Sequence, residues 1–243
     1  MKKIIFWTAL ISVLGLLIGA CAKRDDDTAT TPFTVSCEDT TASGSITMGS
    51  DTVSGTYLVQ TWTDSYLSRP ATGWQATTTF YGSPTGTKSV LSKRIVTSST
   101  SFAEYVGYYS DTACSSRLGY VQKIYANVSV GDPVSGLDNS TGRPTSGYKV
   151  TYNGKCGTMV GDTDAATAAF NASHAYLLRF NLLTTGTEKV FNMGWAGQLG
   201  DTNYDIWGAG DNGTTYSFYS SRGSTESHPS DWDANSGGST YQR

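Results

Sequence analysis

The sequence predicts an all-β protein, an antiparallel β-barrel of roughly eight strands with one short helix near residues 164–176. Three observations carry this. After the first twenty residues Thr, Ser, Gly and Tyr are abundant while charged residues make up 15% of the chain, a balance that suits strands and turns. Several stretches alternate apolar and polar residues with period two. One stretch, Asp164 to Tyr176, breaks that pattern and is rich in alanine, a strong helix former.

In chain order, the first element is a secretory signal. Lys2 and Lys3 supply the positive start, and Ile4 to Leu17 an apolar run shorter than the roughly 20 residues a spanning helix needs. Gly19 and Ala20 then precede Cys21. Leu17-Ile18-Gly19-Ala20-Cys21 resembles the lipobox of bacterial lipoproteins. The resemblance implies that residues 1–20 are removed and that Cys21 is lipidated on sulfur and becomes the N-terminus. Three acyl chains would then hold the protein on a membrane more firmly than one. Ala22 stands where such lipoproteins carry Asp when they are kept in the inner membrane. Its presence implies the outer membrane, on the periplasmic side or the cell surface. Residues 21–36 read as a lipidated tether, polar and Thr-rich, with too little apolar surface to fold.

The β domain is expected over residues 37–221. Ser45–Met48 and Gly55–Trp62 read as its first strands. In Trp74–Tyr81, Trp74, Ala76, Thr78 and Phe80 share one face. Gly82–Gly86 is a turn, and Ser89–Val96 and Phe102–Tyr109 follow as strands. Next comes Leu118–Val130, whose even-numbered residues Leu118, Tyr120, Gln122, Ile124, Ala126, Val128 and Val130 form a mostly apolar face. That face is expected to be buried, and the length of the strand suits a barrel wall. Gly131–Ser146 reads as a loop and Gly147–Cys156 as the returning strand. The helix has Asp162 or Thr163 as N-cap and Phe170, His174 and Leu177 on one face. Lys189–Ala196 is a strand, and Tyr204–Gly208 and Thr215–Tyr219 form a hairpin turned by Gly210-Asp211-Asn212-Gly213. Residues 222–243 read as a polar loop or tail.

Within this body, Gly55-Thr56-Tyr57 resembles the G-x-W start of lipocalin-like barrels. Tyr109-Ser110-Asp111-Thr112-Ala113-Cys114 resembles a turn of small lipocalin-like or adhesin-like bacterial lipoproteins. The likeness spans residues 45–220 and implies an up-and-down barrel. It departs from the family at Tyr57, which replaces tryptophan, and in a helix placed ahead of several strands. It carries over no ligand.

Three cysteines remain after Cys21, in an oxidising compartment. With 118–130 antiparallel to 147–156, Cys114 and Cys156 fall at one end of the hairpin, which predicts a Cys114–Cys156 disulfide, with Cys37–Cys114 as the alternative. There is no C-x-x-C, and His174 and His228 are far in sequence from the cysteines. The acidic stretches at 201–205, 211 and 231–233 match no EF-hand loop, so neither a metal nor a cofactor is assigned.

Removing Lys2 and Lys3 leaves 15 basic against 20 acidic residues, a mature charge of about −5. This excludes nucleic acid as a main partner, which needs clustered Lys and Arg. No G-x-S-x-G elbow occurs. Asp111 and Asp205 are the carboxylates considered for glycoside hydrolysis, as for any envelope enzyme acting on glycans. The aromatics are richer in meaning. Tyr105, Tyr108, Tyr109, Tyr120 and Tyr125 crowd two adjacent strands, and alternation must put some of them outside; with Trp207 they are the binding candidates. The expected function is that of a non-enzymatic, membrane-anchored outer-membrane binding protein, an adhesin for host or matrix proteins. The alternatives are a lipocalin-like carrier of a small apolar ligand and the glycan-acting enzyme.

Overall fold

The structure is a computed structural model. It describes residues 37, 41–59, 67–68, 74–76, 83–139, 143–174, 182–192, 202–211, 216–220, 227–232 and 240–242, all within one unit, Val35–Arg243. The signal, Cys21 and the tether to residue 36 lie outside the described residues, as do Trp62, Trp195, Asp201 and the turn at 212–215. So do the side chains of Trp74, His174 and Asp211.

The strands are β1 (Ser45–Met48), β2 (Asp51–Ser54), β3 (Thr56–Val59), β4 (Leu67–Ser68), β5 (Trp74–Ala76), β6 (Ser89–Ser98) and β7 (Ser101–Tyr109). They continue as β8 (Arg117–Ser135), β9 (Ser146–Gly161), β10 (Lys189–Asn192), β11 (Thr202–Asp211), β12 (Tyr216–Ser220) and β13 (Thr240–Gln242). One helix, α1 (Asp164–His174), interrupts them. The fold is therefore mostly β and antiparallel with one short helix among the described residues, as the alternation and the alanine-rich stretch predict. Neighbours in the main sheet run β3-β13-β12-β11-β9-β8-β7-β6-β5-β4, with β10 beside the second half of β9. β3 also pairs with β6, through Thr56↔Ile95, Tyr57↔Arg94 and Leu58↔Lys93. β1 and β2 form a separate hairpin.

The long strand departs from its expected phase. β8 sends Gly119, Val121 and Tyr125 of the odd-numbered face inward and only later Val128, while Ile124 of the even-numbered face is buried on the opposite side of the sheet against Ala103 and Cys156. Its pairing with β9 slips between Ala126 and Ser129 and again between Val130 and Pro133, each time with one extra residue on β8. Asn127 sits at φ 56°, a left-handed conformation that asparagine tolerates better than most residues. This bulge reverses which residues face inward. The Val128 N–H, freed from the ladder, donates to Thr100 O at 3.0 Å. The strand then runs on to Ser135, which shortens the connection expected over 131–146.

One cluster forms the main core. Ile46, Met48 and Val53 of the hairpin pack there with Tyr57, Val96, Phe102, Tyr125, Tyr152 and Trp207. Gly55 takes φ 83° to lead the chain into β3, a value that favours glycine. Tyr57 is fully buried, and its hydroxyl accepts from Ser54 N at 3.0 Å. Ser43 Oγ donates to Thr97 O, so the chain entering β1 is held at the Phe102 end of β6–β7. The helix meets the other end, where Phe170 packs edge-on against Tyr108 at 5.5 Å. Thr163 is the N-cap, its hydroxyl accepting from Ala166 N at 3.2 Å. Asp162, the other expected cap, pairs with Arg117 instead.

The described residues of 222–243, the stretch read as a polar loop or tail, are packed on the domain. Trp232 is 3% exposed in a small cluster with Leu137 and Ile206, its indole N–H donates to Pro144 O at 2.8 Å, and β13 pairs with both β12 and β3. The disulfide joins Cys37 to Cys156, with Cα atoms 6.0 Å apart, and Cys114 is a free thiol. The expected Cys114–Cys156 bond assumed that β9 ends at Cys156. It continues to Gly161, so Cys156 faces Ile124, well inside the hairpin. Ten residues separate Cys114 from Ile124 in sequence, and seven of them along the strand from Arg117 already span roughly 23 Å.

The bond closes a 119-residue separation, and its loss costs about 2–5 kcal/mol in a domain of this kind. Non-reducing peptide mapping is expected to recover a Cys37–Cys156 linked pair and one alkylated cysteine, Cys114. Cys37→Ser is expected to lower the denaturation midpoint and Cys114→Ser to leave it nearly unchanged. A linked pair containing Cys114 in the native chain contradicts this assignment.

Candidate functional site

The two faces of β7 and β8 divide the candidate residues. Tyr108, Tyr125 and Trp207 belong to the core, with exposures of 6%, 6% and 1%. Tyr105, Tyr109 and Tyr120 stand on the opposite, outward face. Gly107 pairs with Tyr120 across the ladder, and a Cβ on Gly107 would lie 2.7 Å from the Tyr105 hydroxyl and 2.9 Å from the Tyr109 ring. Glycine here leaves the space in which the two flanking rings converge.

The outward face is a ladder of stacked groups. Lys93 of β6 sits over the Tyr105 ring at 5.4 Å, Tyr105 stacks on Tyr120 at 5.3 Å, and the Arg117 guanidinium lies 4.7 Å from the Tyr120 centroid. Cation–π contacts of this kind contribute about 0.5–1 kcal/mol each at exposed sites. Arg117 donates from Nε to Asp162 Oδ2 at 2.7 Å and from Nη2 to Oδ1 at 3.2 Å. This pair holds the guanidinium even further above the solution range in which it stays charged. The Tyr105 and Tyr109 hydroxyl oxygens are 3.4 Å apart, and the Tyr120 hydroxyl donates to Glu188. Burial first, then Glu188, pushes the Tyr120 phenol up to about 12. Burial, then the bond with Tyr105, raises Tyr109. Both remain protonated at neutral pH; Tyr109 is itself buried at 8% exposure, so the accessible part of this face is formed by the partly exposed Tyr105 and Tyr120 with Lys93, Arg117 and Glu188 around them.

The turn after β7 holds this surface in place. Asp111 accepts from Ala113 N at 2.8 Å, Ser115 N at 3.1 Å, Ser115 Oγ at 3.1 Å and Ser116 N at 2.5 Å. The Ser115 backbone bond is the largest cause of a carboxyl lowered from 3.8 to about 2. Ser89 Oγ donates to Asp111 O and lies 3.2 Å from the Cys114 sulfur. The turn that resembles those of small bacterial lipoproteins is thus an Asp-centred loop.

The inner face carries a polar group that the sequence did not announce. Arg94 is 4% exposed and donates from Nη2 to Glu104 Oε1 at 2.6 Å, with its guanidinium 4.7 Å from the Phe102 ring and 5.4 Å from Trp207. Asp205, fully buried, accepts from Trp207 Nε1 at 2.8 Å, Ile206 N at 2.8 Å and Tyr152 O–H at 3.5 Å. The two carboxylates considered for hydrolysis are therefore both engaged in structure, Asp111 in its turn and Asp205 in the core. Asp231, in one of the acidic stretches, accepts from Asp138 N and Trp232 N and ties the C-terminal segment to the β8–β9 connection. His228 stands edge-on to Tyr204 at 5.1 Å, with Nδ1 3.1 Å from Asp205 O. Among the described residues no group of three or more His, Cys, Asp and Glu is placed to hold a metal.

The geometry defines an antiparallel β domain with a filled aromatic interior and an outward tyrosine surface. No family model matches the chain, and no curated protein is similar to it.

Asp111 gives a pH signature. Its folded carboxyl is depressed, so its contribution is present above the unfolded value of 3.8 and is lost as pH falls toward about 2. Asp111→Ala is expected to lower the melting temperature at neutral pH, with the gap to the native chain closing in that acid window. A gap independent of pH between neutrality and acid contradicts the carboxylate-centred turn.

Proposed function

We propose that the chain is a lipid-anchored, non-enzymatic binding protein of the bacterial outer membrane, and that it binds a protein partner through the tyrosine surface of β7 and β8. The single observation that carries the reading is the outward ladder Lys93–Tyr105–Tyr120–Arg117 with Tyr109 beside it. Tyr and Arg are enriched among the residues that dominate interfaces, because they bring large rigid area and oriented donors. The lipobox at Cys21 and the tether that follows support the location. A host or matrix protein is the partner class that an adhesin on the cell surface would meet.

β3 hydrogen-bonds to both β13 and β6, which supports a lipocalin-like ring of β3, β13, β12, β11, β9, β8, β7 and β6 that closes on itself. Phe102, Tyr125, Tyr152 and Trp207 pack with ring centroids 4.7–5.8 Å apart inside it, Phe102 stacked on Tyr125 and edge-on to Tyr152 and Trp207. They fill the space that a large apolar ligand would need at that end, and this favours a surface that binds over an interior that carries.

The test is binding of intact cells to immobilised matrix proteins, with protease accessibility of the domain measured in parallel. Tyr105→Ala and Tyr120→Ala are each expected to weaken binding about tenfold or more, as truncation of a central interface residue does. Gly107→Ala displaces only side-chain atoms of Tyr105 and Tyr109. It is expected to weaken binding while leaving the melting temperature within a few degrees. Protection of the domain from protease on intact cells, or full binding by the tyrosine variants, overturns the reading.

A further inference from the structure

The inner face of β7–β8 holds a second feature, which does not depend on how the tyrosine surface is read. Between the aromatic packing at Phe102 and the helix contact at Tyr108 lies a partly open cleft of about 130 Å³, lined by Glu104, Val106, Tyr108, Val121 and Lys123. Alternation on the two strands brings these five side chains to one face. Glu104 pairs with Lys123 and Val106 with Val121 in the ladder, while Tyr108 lies four residues beyond Glu104, roughly 13 Å along the strand.

The polar groups of the cleft are unequal. Glu104 is already engaged, Oε1 by Arg94 and Oε2 by the Tyr125 hydroxyl at 3.3 Å. Lys123 makes no ion pair or hydrogen bond with the described residues, and neither does the Tyr108 hydroxyl. Glu104 and Lys123 are the charged groups of the lining, and with Glu104 held by Arg94 and the Tyr125 hydroxyl, the Lys123 ammonium at that end makes no ion pair with the described residues. Val106 and Val121 form its apolar middle, and a phenol stands at its far end. An ammonium beside apolar surface favours an anion that also brings an apolar body, because the pair is formed where water is partly displaced.

We propose that this cleft binds a short aliphatic carboxylate, with the carboxylate on Lys123 and the chain between Val106 and Val121 toward Tyr108. The size follows from the volume, which is well below the roughly 300–1,000 Å³ of pockets for drug-sized ligands. It corresponds to about four times the share of one water in the liquid, at roughly 30 Å³ each. A ligand carrying an amine in place of the carboxylate would meet Lys123 as a like charge and would compete for a Glu104 that Arg94 already holds.

The test uses the full-length chain and hexanoate, hexan-1-ol and hexylamine as probes, followed by saturation-transfer NMR and calorimetric titration. Hexanoate is expected to bind saturably at one site per chain and about tenfold or more tighter than the alcohol, the effect of one charge-assisted contact. Lys123→Gln is expected to remove that preference, and Lys123→Arg to keep it. Val121→Trp fills the cleft and is expected to abolish binding of all three probes. Lys123→Gln alters a partly exposed residue and keeps the test decisive should the tryptophan variant fail to fold. Equal binding of acid and alcohol, preference for the amine, an unaffected Lys123→Gln variant, or no saturable binding of hexanoate each overturns the proposal.

Discussion

The ion pair of buried Arg94 with partly exposed Glu104 sets conditions for much of the sheet. A guanidinium at 4% exposure has lost most of its water, and removing Glu104 is destabilising because that buried charge is left without its carboxylate. The two residues are direct cross-strand neighbours on β6 and β7. Their position therefore fixes the register of that hairpin. A slip of one residue would turn Arg94 outward and bring Lys93, now over the outer ring of Tyr105, into the aromatic core. Phe102 and Trp207 lie beside the guanidinium from β7 and β11, and Tyr125 reaches Glu104 from β8. One charged group thereby ties four strands together, and Asp205 does the same on a smaller scale for β9 and β11 through Tyr152 and Trp207.

This interior arrangement decides what is left for the outside. Because Phe102, Tyr125, Tyr152 and Trp207 surround the ion pair, their alternating neighbours Tyr105, Tyr109 and Tyr120 must stand on the other face. There they need a way to pack, and Gly107 supplies it by leaving a gap in the strand surface. Arg117 and Lys93 cover ring faces at the two ends of the stack, so the ladder presents hydroxyls and edges at its surface. An aromatic surface built this way is rigid, and a partner that docks on it orders few side chains and loses correspondingly little entropy.

Much of the fold could be read from residue types. The alternation in Ser89–Val96 and Phe102–Tyr109 and the Ala-rich run after Thr163 gave those elements nearly to their ends, because each rule involved is local. The failures came where a distant partner decides. The even-numbered face of β8 looked like the buried one because six of its seven residues are apolar or aromatic. The bulge at Asn127, one of three irregularities in the β8–β9 pairing, separates a first half with the odd-numbered face toward the main core from a later part that turns Val128 inward. Asn in the middle of a β run was the available sign. The sequence pattern ends β9 at Cys156, five residues short of Gly161, and so points Cys156 toward Cys114 when its cross-strand neighbour is Ile124. Trp232, in a stretch of Ser, Gly and Asp, belongs to the core through an indole hydrogen bond to Pro144 that no local pattern announces. Of the candidate site, the tyrosine cluster was legible, and its division between the faces was foreseen without the assignment of each ring. Gly107, Arg117 and Glu188 were not, since their roles exist only once β7, β8 and the segment before β10 are side by side.

The disulfide decides on which side of the sheet the described chain begins. Cys37 and Cys156 pack with Ala103, Ile124 and Ile95 on the outward side, the side that carries Tyr105 and Tyr120. Along β8, Ile124 and Tyr120 are four residues apart, roughly 13 Å. Cys37 is thus fixed near the tyrosines eight residues before β1 begins at Ser45. The bond stabilises the domain by closing a 119-residue separation, and the same covalent link ties the start of the domain to the tyrosine-bearing face of the sheet.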